Sequence, residues 1–127
     1  MPRLVTGGKW VYGWVVVGPG PSLPIPPAAW RKYGFQAAGE ALLLAGSRTS
    51  GGFGLANAAR LPAHLATRVL GRARFDEYGR AALPASAPVQ PCDRLLAVLG
   101  SGYALGFLAR GPIYQAAMEH DEIEVFG

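Results

Sequence analysis

Ten of the twelve lysines and arginines of this 127-residue chain lie in its first 80 residues: Arg3, Lys9, Arg31, Lys32, Arg48, Arg60, Arg68, Arg72, Arg74 and Arg80. Only Glu40, Asp76 and Glu77 oppose them there. Beyond residue 80 the balance reverses, with Arg94 and Arg110 against Asp93, Glu119, Asp121, Glu122 and Glu124. The chemistry such a basic segment offers is neutralisation of phosphates, in which each contact releases condensed counterions and steepens the salt dependence of binding. A net charge of +4 permits a polyanionic partner, nucleic acid foremost. Candidate phosphate contacts are Arg3, Lys9, Arg31, Lys32 and Arg48. The alternative for each is that it simply solvates the surface around it.

Covalent chemistry has weaker support. Two octets, "GSRTSGGF" (46–53) and "GSGYALGF" (100–107), share their first two and last two letters. A Gly-Ser pair is the kind of bond at which a chain can cleave itself. Each pair, however, ends an apolar run where a hairpin must turn, which already accounts for the glycine. "GSRTSGG" lacks the Lys-Ser/Thr ending of a phosphate-binding loop. Cys92 is the single cysteine, which excludes an internal disulfide and a thiolate zinc site and fits a reducing cytoplasm. His64 and His120 fall at non-equivalent positions of two candidate helices, and "EHDEIE" (119–124) reads as a solvated helix end. Cys92 paired with either histidine stays open on sequence alone. With no assembled constellation, the expectation is a binding protein rather than an enzyme, without cofactor or metal.

The elements that must carry these residues are short. Half of the residues are apolar and 16% charged, which opposes disorder, and 18 glycines and 11 prolines scattered between apolar runs indicate many turns joining short strands. "KWVYGWVVVG" alternates Val11, Gly13, Val15 and Val17 on one face with Trp10, Tyr12, Trp14 and Val16 on the other. Both faces are apolar, as in a covered central strand. No stretch is long enough to span a membrane. The prolines of "LPIP" confine that strand to an edge or bulge. Pro27, the Trp30/Tyr33 spacing and Gly34 predict a helix of about two turns. The strand "ALLLAG" (41–46) and the partner "GFGLANA" follow as a hairpin. Leu61, Leu65 and Val69 then recur at helical spacing from Pro62, with Gly71 ending the run.

"RARFDEYGRAALP" resembles the beginning again, which predicts an internal repeat. Ile25-Pro26 corresponds to Leu83-Pro84, and Gly39-Glu40 to Cys92-Asp93. The paired octets follow, then Leu55-Ala56 with Leu108-Ala109, Pro62 with Pro112, and the strand ending at Phe75 with "IEVF". The first unit runs 8–71 and the second 72–127, with "PASAPVQPC" replacing the helix of the first. Each half is unable to bury its own apolar face. Together they predict one mostly β domain, a small barrel of two interleaved halves with short connecting helices.

The order strand, turn, "LPIPPAAWRKYGFQAAGEALLL", with "YGRAALP" and "CDRLLAV" in the second half, resembles the AbrB/SpoVT/MazE swapped-hairpin family. That family has a turn and G-R-x-x-I-P before a short helix ending in L-G, then G-D and an apolar strand. The resemblance implies a swapped-hairpin β-barrel, here built by a tandem duplication, and double-stranded DNA binding in transcription regulation. It also implies that Arg80, in the position of the motif's arginine, faces DNA. The first copy has Ser22 in the similar place, and Cys92 stands where the family has glycine. Domain exchange between two chains would satisfy the same strand pairing and yield a homodimer. The competing class is a barrel that has lost DNA binding and serves as a protein-interaction or small-ligand module.

Overall fold

The computed structural model describes residues 10–46, 49 and 51–127. The chain runs β1 (Val11–Val16), β2 (Ser22–Pro24), α1 (Pro27–Lys32), α2 (Phe35–Ala38), β3 (Glu40–Ala45) and β4 (Phe53–Ala56). Two 3-10 turns, Ala58–Arg60 and Ala63–Arg68, lead to β5 (Val69–Phe75), β6 (Arg80–Ala82), β7 (Arg94–Leu99), β8 (Ala104–Leu108), α3 (Pro112–Ala117) and β9 (Val125–Phe126). The nine strands among the described residues form one sheet in the order β2-β6-β5-β3-β4-β8-β7-β1-β9. An antiparallel bridge between Gly18 and Ser22 joins the end of β1 to β2, so the sheet nearly closes into a barrel. No helix among the described residues is long and apolar enough to cross a membrane.

Strands from the first part of the chain pair with strands from the second, and they do so twice in the same register. On β7, Val11 faces Val98, Gly13 faces Ala97, Trp14 faces Leu96, Val15 faces Leu95 and Val16 faces Arg94. On β3, Val69 faces Leu44, Gly71 faces Leu43, Arg72 faces Leu42, Ala73 faces Ala41 and Arg74 faces Glu40. Shifting β1 by 58 positions (Val11 to Val69) and β7 back by 54 (Val98 to Leu44) converts one ladder into the other, bulge included. The same operation carries the backbone bond from Val17 to Asp93 onto that from Phe75 to Gly39. Its pseudo-twofold passes through two cross-strand pairs, Leu23 with Ala81 and Gly54 with Gly106.

That register makes Gly39-Glu40 the counterpart of Asp93-Arg94 and Leu55-Ala56 that of Phe107-Leu108, one residue from the matches expected from sequence, and it also corrects the match between the two octets. The ladder of the first hairpin ends at Ala45 and Phe53, and that of the second at Leu99 and Leu105. The first loop is therefore two residues longer. Gly54, rather than Gly52, is the counterpart of Gly106, and the two Gly-Phe pairs occupy different places.

The bulges also redistribute β1. An extra residue between Val11 and Gly13 reverses the alternation. Tyr12, Val15 and Val17 pack on the interior cluster, whereas Val11 and Trp14 pack outside. The single-face grouping of Val11 with Val15 and Val17 is thus overturned. The bulge glycines are confined by close neighbours: a Cβ on Gly13 would lie 2.7 Å from the Glu124 carbonyl oxygen, and one on Gly71 3.0 Å from Pro84.

The barrel interior holds Leu43, Phe53, Leu55, Leu105 and Phe107, closed by Tyr33 and Phe35 from the helical segment. Phe53 and Phe107 stack with centroids 5.0 Å apart. Two smaller clusters lie outside. One joins Trp14, Leu96, Val98 and Leu108 under α3 through Ala117, Ile113 and Tyr114. The other joins Leu44, Ala56 and Leu42 under the 3-10 segment through Leu61 and Val69. Leu42, Leu44 and Val69 are the register counterparts of Leu96, Val98 and Val11, so the two outer clusters are equivalent.

The helix expected from Pro27 is present, and the left-handed Gly34 separates it from α2. The helix expected from Pro62 is instead a 3-10 turn, because Val69 enters the β5 ladder opposite Leu44 and cannot also continue a helix. Cys92 is exposed and has φ 76°, the one non-glycine with positive φ among the described residues. L-residues avoid this region because Cβ approaches the carbonyl oxygen. Replacing Cys92 with glycine keeps its backbone bond to Val17. It is expected to raise stability by about 1 kcal/mol, seen as a melting temperature roughly 4 °C higher.

Candidate nucleic-acid interface

The segment 58–75 carries Arg60, Arg68, Arg72, Arg74 and His64, and no acidic residue. All four arginines are exposed. Their placement follows from what the segment covers: Leu61 and Val69 turn onto the outer face of β3 and β4, leaving the flanking polar side chains in solvent. Within β5, Ala73 is buried in the interior, so its neighbours Arg72 and Arg74 project outward. Arg60 donates from Nη1 to the Lys32 carbonyl at 2.8 Å, bringing the arginine against the end of α1. Arg68 donates from Nη2 to the Ala45 carbonyl at 3.2 Å. Glu40, the single carboxylate paired with this flank among the described residues, meets Arg72 at 2.6 Å. Both partners are substantially exposed, so the pair contributes little stability.

The pseudo-twofold exposes what is particular about this flank. The counterparts of Arg72 and Glu40 are Trp14 and Arg94, whose guanidinium lies 4.2 Å from the Trp14 ring centroid. Trp14 is buried and packs edge-on against Tyr114 of α3, with centroids 5.0 Å apart. At this position one outer face is thus apolar and buried under α3, whereas on the equivalent face, beside the cluster covered by the 3-10 segment, Arg72 and Glu40 lie in solvent.

The covering segment is acidic: Glu119, Asp121, Glu122 and Glu124 are all exposed. Glu122 accepts a hydrogen bond from its own backbone N–H and pairs with His120 at 2.7 Å, which hold its carboxyl below the ordinary carboxylate range. The charge asymmetry of the sequence therefore becomes a molecule with a basic flank and an acidic one.

Of the residues singled out from sequence, Arg31, Lys32 and Arg80 lie among the described residues. Arg3, Lys9 and Arg48 lie outside the described residues. Arg80 is half-buried and reaches across the β2–β6 pair to Ser22 Oγ at 3.3 Å. Ser22 and Arg80 are register counterparts, so the two positions of the family motif meet each other next to the axis. A Cβ on Gly18 would sit 2.7 Å from that guanidinium. Arg31 and Lys32 are exposed and adjacent, but Arg31 lies between two clefts lined by carboxylates: Asp76 and Glu77 on one side, Glu122 and Glu124 on the other. That surrounding opposes a polyanion at Arg31. Arg60, Arg68, Arg72 and Arg74 were not singled out, although a run of four arginines without an acid is visible in the sequence.

The second hairpin loop has a structural partner. The Tyr33 hydroxyl donates to the Ser101 carbonyl at 3.2 Å, and burial pushes its phenol pKa well above the ordinary 10.0. Asn57, the one buried polar residue among those described, donates to the Tyr33 carbonyl at 2.9 Å and accepts from the Ala59 N–H at 3.0 Å. The Tyr33–Ser101 and Asn57–Tyr33 bonds fasten the helical segment to the barrel, and the Ala59 bond caps the first 3-10 turn. No group of three potential metal ligands occurs among the described residues. No family model, curated protein or solved structure matches the chain.

Proposed function

We propose that this protein is a cytoplasmic, non-enzymatic DNA-binding regulator resembling the AbrB/SpoVT swapped-hairpin class, with a chain that supplies both halves of the barrel. Its duplex-binding surface is the flank formed by Arg60, Arg68, Arg72 and Arg74, with Lys32 beside Arg60. The observation that carries this reading is the exposure of four arginines in the one segment 58–75, of which, among the described residues, only Arg72 is paired with a carboxylate. The interleaved pairing of β1 with β7 and β5 with β3 supports the class. Contacts of this kind are to phosphates, so they confer affinity without sequence preference. A homodimer that sets both flanks on one duplex would raise affinity through avidity.

Fluorescence anisotropy with a short random-sequence duplex tests the surface. The double variant Arg72→Ser/Arg74→Ser is expected to bind roughly 10-fold more weakly near 50 mM salt, with the slope of log K against log salt shallower by about two. Arg80→Ala is expected to keep the wild-type slope, because that guanidinium is committed to Ser22. An unchanged double variant, or loss of slope in Arg80→Ala alone, would move the interface off the flank.

A further inference from the structure

We propose that the cleft between α1–α2 and the β5–β6 hairpin binds a small organic cation carrying an apolar body. This inference is independent of the DNA reading, which concerns Lys32, Arg60, Arg68, Arg72 and Arg74, none of which lines this cleft. The cleft has a volume of about 530 Å³, within the range that holds a drug-sized molecule. Its walls are aromatic: Trp30 and Phe75 meet edge to face with centroids 4.7 Å apart, and Phe35 lies 5.0 Å from Phe75 at the base. Tyr78, at the hairpin tip, is 81% exposed, an unusual position for so large a ring.

The polar groups at this site select the sign of charge. Asp76 and Glu77 line the cleft together with Arg31 and Gln36. Asp76 uses Oδ1 to accept the Tyr78 and Arg80 backbone N–H groups at 2.8 and 3.0 Å, leaving its second oxygen for a ligand. Glu77 makes no side-chain hydrogen bond or ion pair among the described residues. Arg31 offsets one of these charges, but it also lines the adjoining cleft with Glu122 and Glu124. The carboxylates lining this cleft therefore outnumber its one lining cation, and they stand beside the exposed Tyr78 ring and the partly exposed Trp30 and Phe75. Ring quadrupoles and carboxylates both attract a cation and both disfavour an anion. A neutral molecule of the same shape gains the apolar contact alone.

Benzyltrimethylammonium, benzyl alcohol and benzoate share a ring and differ in charge, and each can be titrated into the intact protein while the indole N–H resonances are followed by NMR. Benzyltrimethylammonium is expected to saturate and to shift the Trp30 resonance, while those of Trp10 and Trp14 stay in place. Its affinity should exceed that of benzyl alcohol by roughly 10-fold, with no saturation by benzoate. Glu77→Gln and Tyr78→Ala should each weaken the cation by roughly 5-fold at an unchanged melting temperature, since both side chains are exposed. Equal affinity for benzyl alcohol, no saturation by the cation up to about 10 mM, or undiminished binding in both variants would overturn the assignment. Because the arginine flank is untouched, duplex affinity in these variants should not change.

Discussion

Gly52→Ala is expected to destabilise the protein by about 3–5 kcal/mol, the sum of left-handed backbone strain and forced displacement of a neighbouring strand. Gly52 has φ +66°, and a Cβ there would lie 1.9 Å from the Phe107 carbonyl oxygen. The obstacle is backbone belonging to β8, whose ladder with β4 runs through Phe53 and Phe107, so no rotamer change can relieve it. Gly79 supplies the comparison. Its φ is +75°, but nothing lies within 4 Å of the added carbon. Gly79→Ala should therefore cost only the conformational component, about 1–2 kcal/mol. Urea unfolding with an unchanged m-value separates the two. Similar losses in both variants would mean that β8 does not approach Gly52 as described.

Phe35→Ala is expected to cost about 3–5 kcal/mol, as deletion of a fully buried aromatic ring usually does. Phe35 stacks on Tyr33 with centroids 5.8 Å apart and meets Phe75 and Trp30, joining the helical segment to the barrel interior and to the wall of the aromatic cleft. Counted back from β7, its counterpart in the other half is Val89, which is only partly buried against the same interior cluster. Val89→Ala should cost about 1–2 kcal/mol, the value of the methyl groups removed. The contrast measures how unevenly the two halves contribute to one core, and equal losses would contradict it. Denaturant titration of both variants gives the comparison directly.

Much of this architecture is written locally. The Gly/Pro punctuation marks the short strands, Pro27 and Gly34 bound α1, and Asp76 with Gly79 turns β5 into β6. The correspondence of Ile25-Pro26 with Leu83-Pro84 follows the same 58-residue shift that relates β1 to β5. What escaped the sequence depended on partners distant along the chain. Bulges beside Gly13 and Gly71 arise in ladders with β7 and β3, and they decide which side of the sheet Val11 and Tyr12 occupy. Spacing alone could not distinguish a helix from a 3-10 turn after Pro62, because the decision rests on Val69 joining β5.

The candidate interface shows the same division. The basic first half was legible as composition, but the identity of its outward-facing arginines depended on which apolar residues the barrel claimed. Arg72 and Arg74 are exposed because Ala73 is inside, and Arg60 and Arg68 because Leu61 and Val69 cover the outer cluster. Conversely, Arg31 drew attention as a helix-borne cation, yet Glu122 and Glu124, over ninety positions away, help line the cleft beside it. Arg80, placed by family position, is drawn to its own counterpart Ser22.

The claim that the arginine flank grips a duplex is tested most directly by the salt dependence of wild-type binding to a random-sequence duplex. Four phosphate contacts predict binding that weakens steeply between about 50 and 200 mM salt, with a log–log slope of about −3.6. A protein that does not bind at low salt, or whose affinity is indifferent to salt, would contradict it.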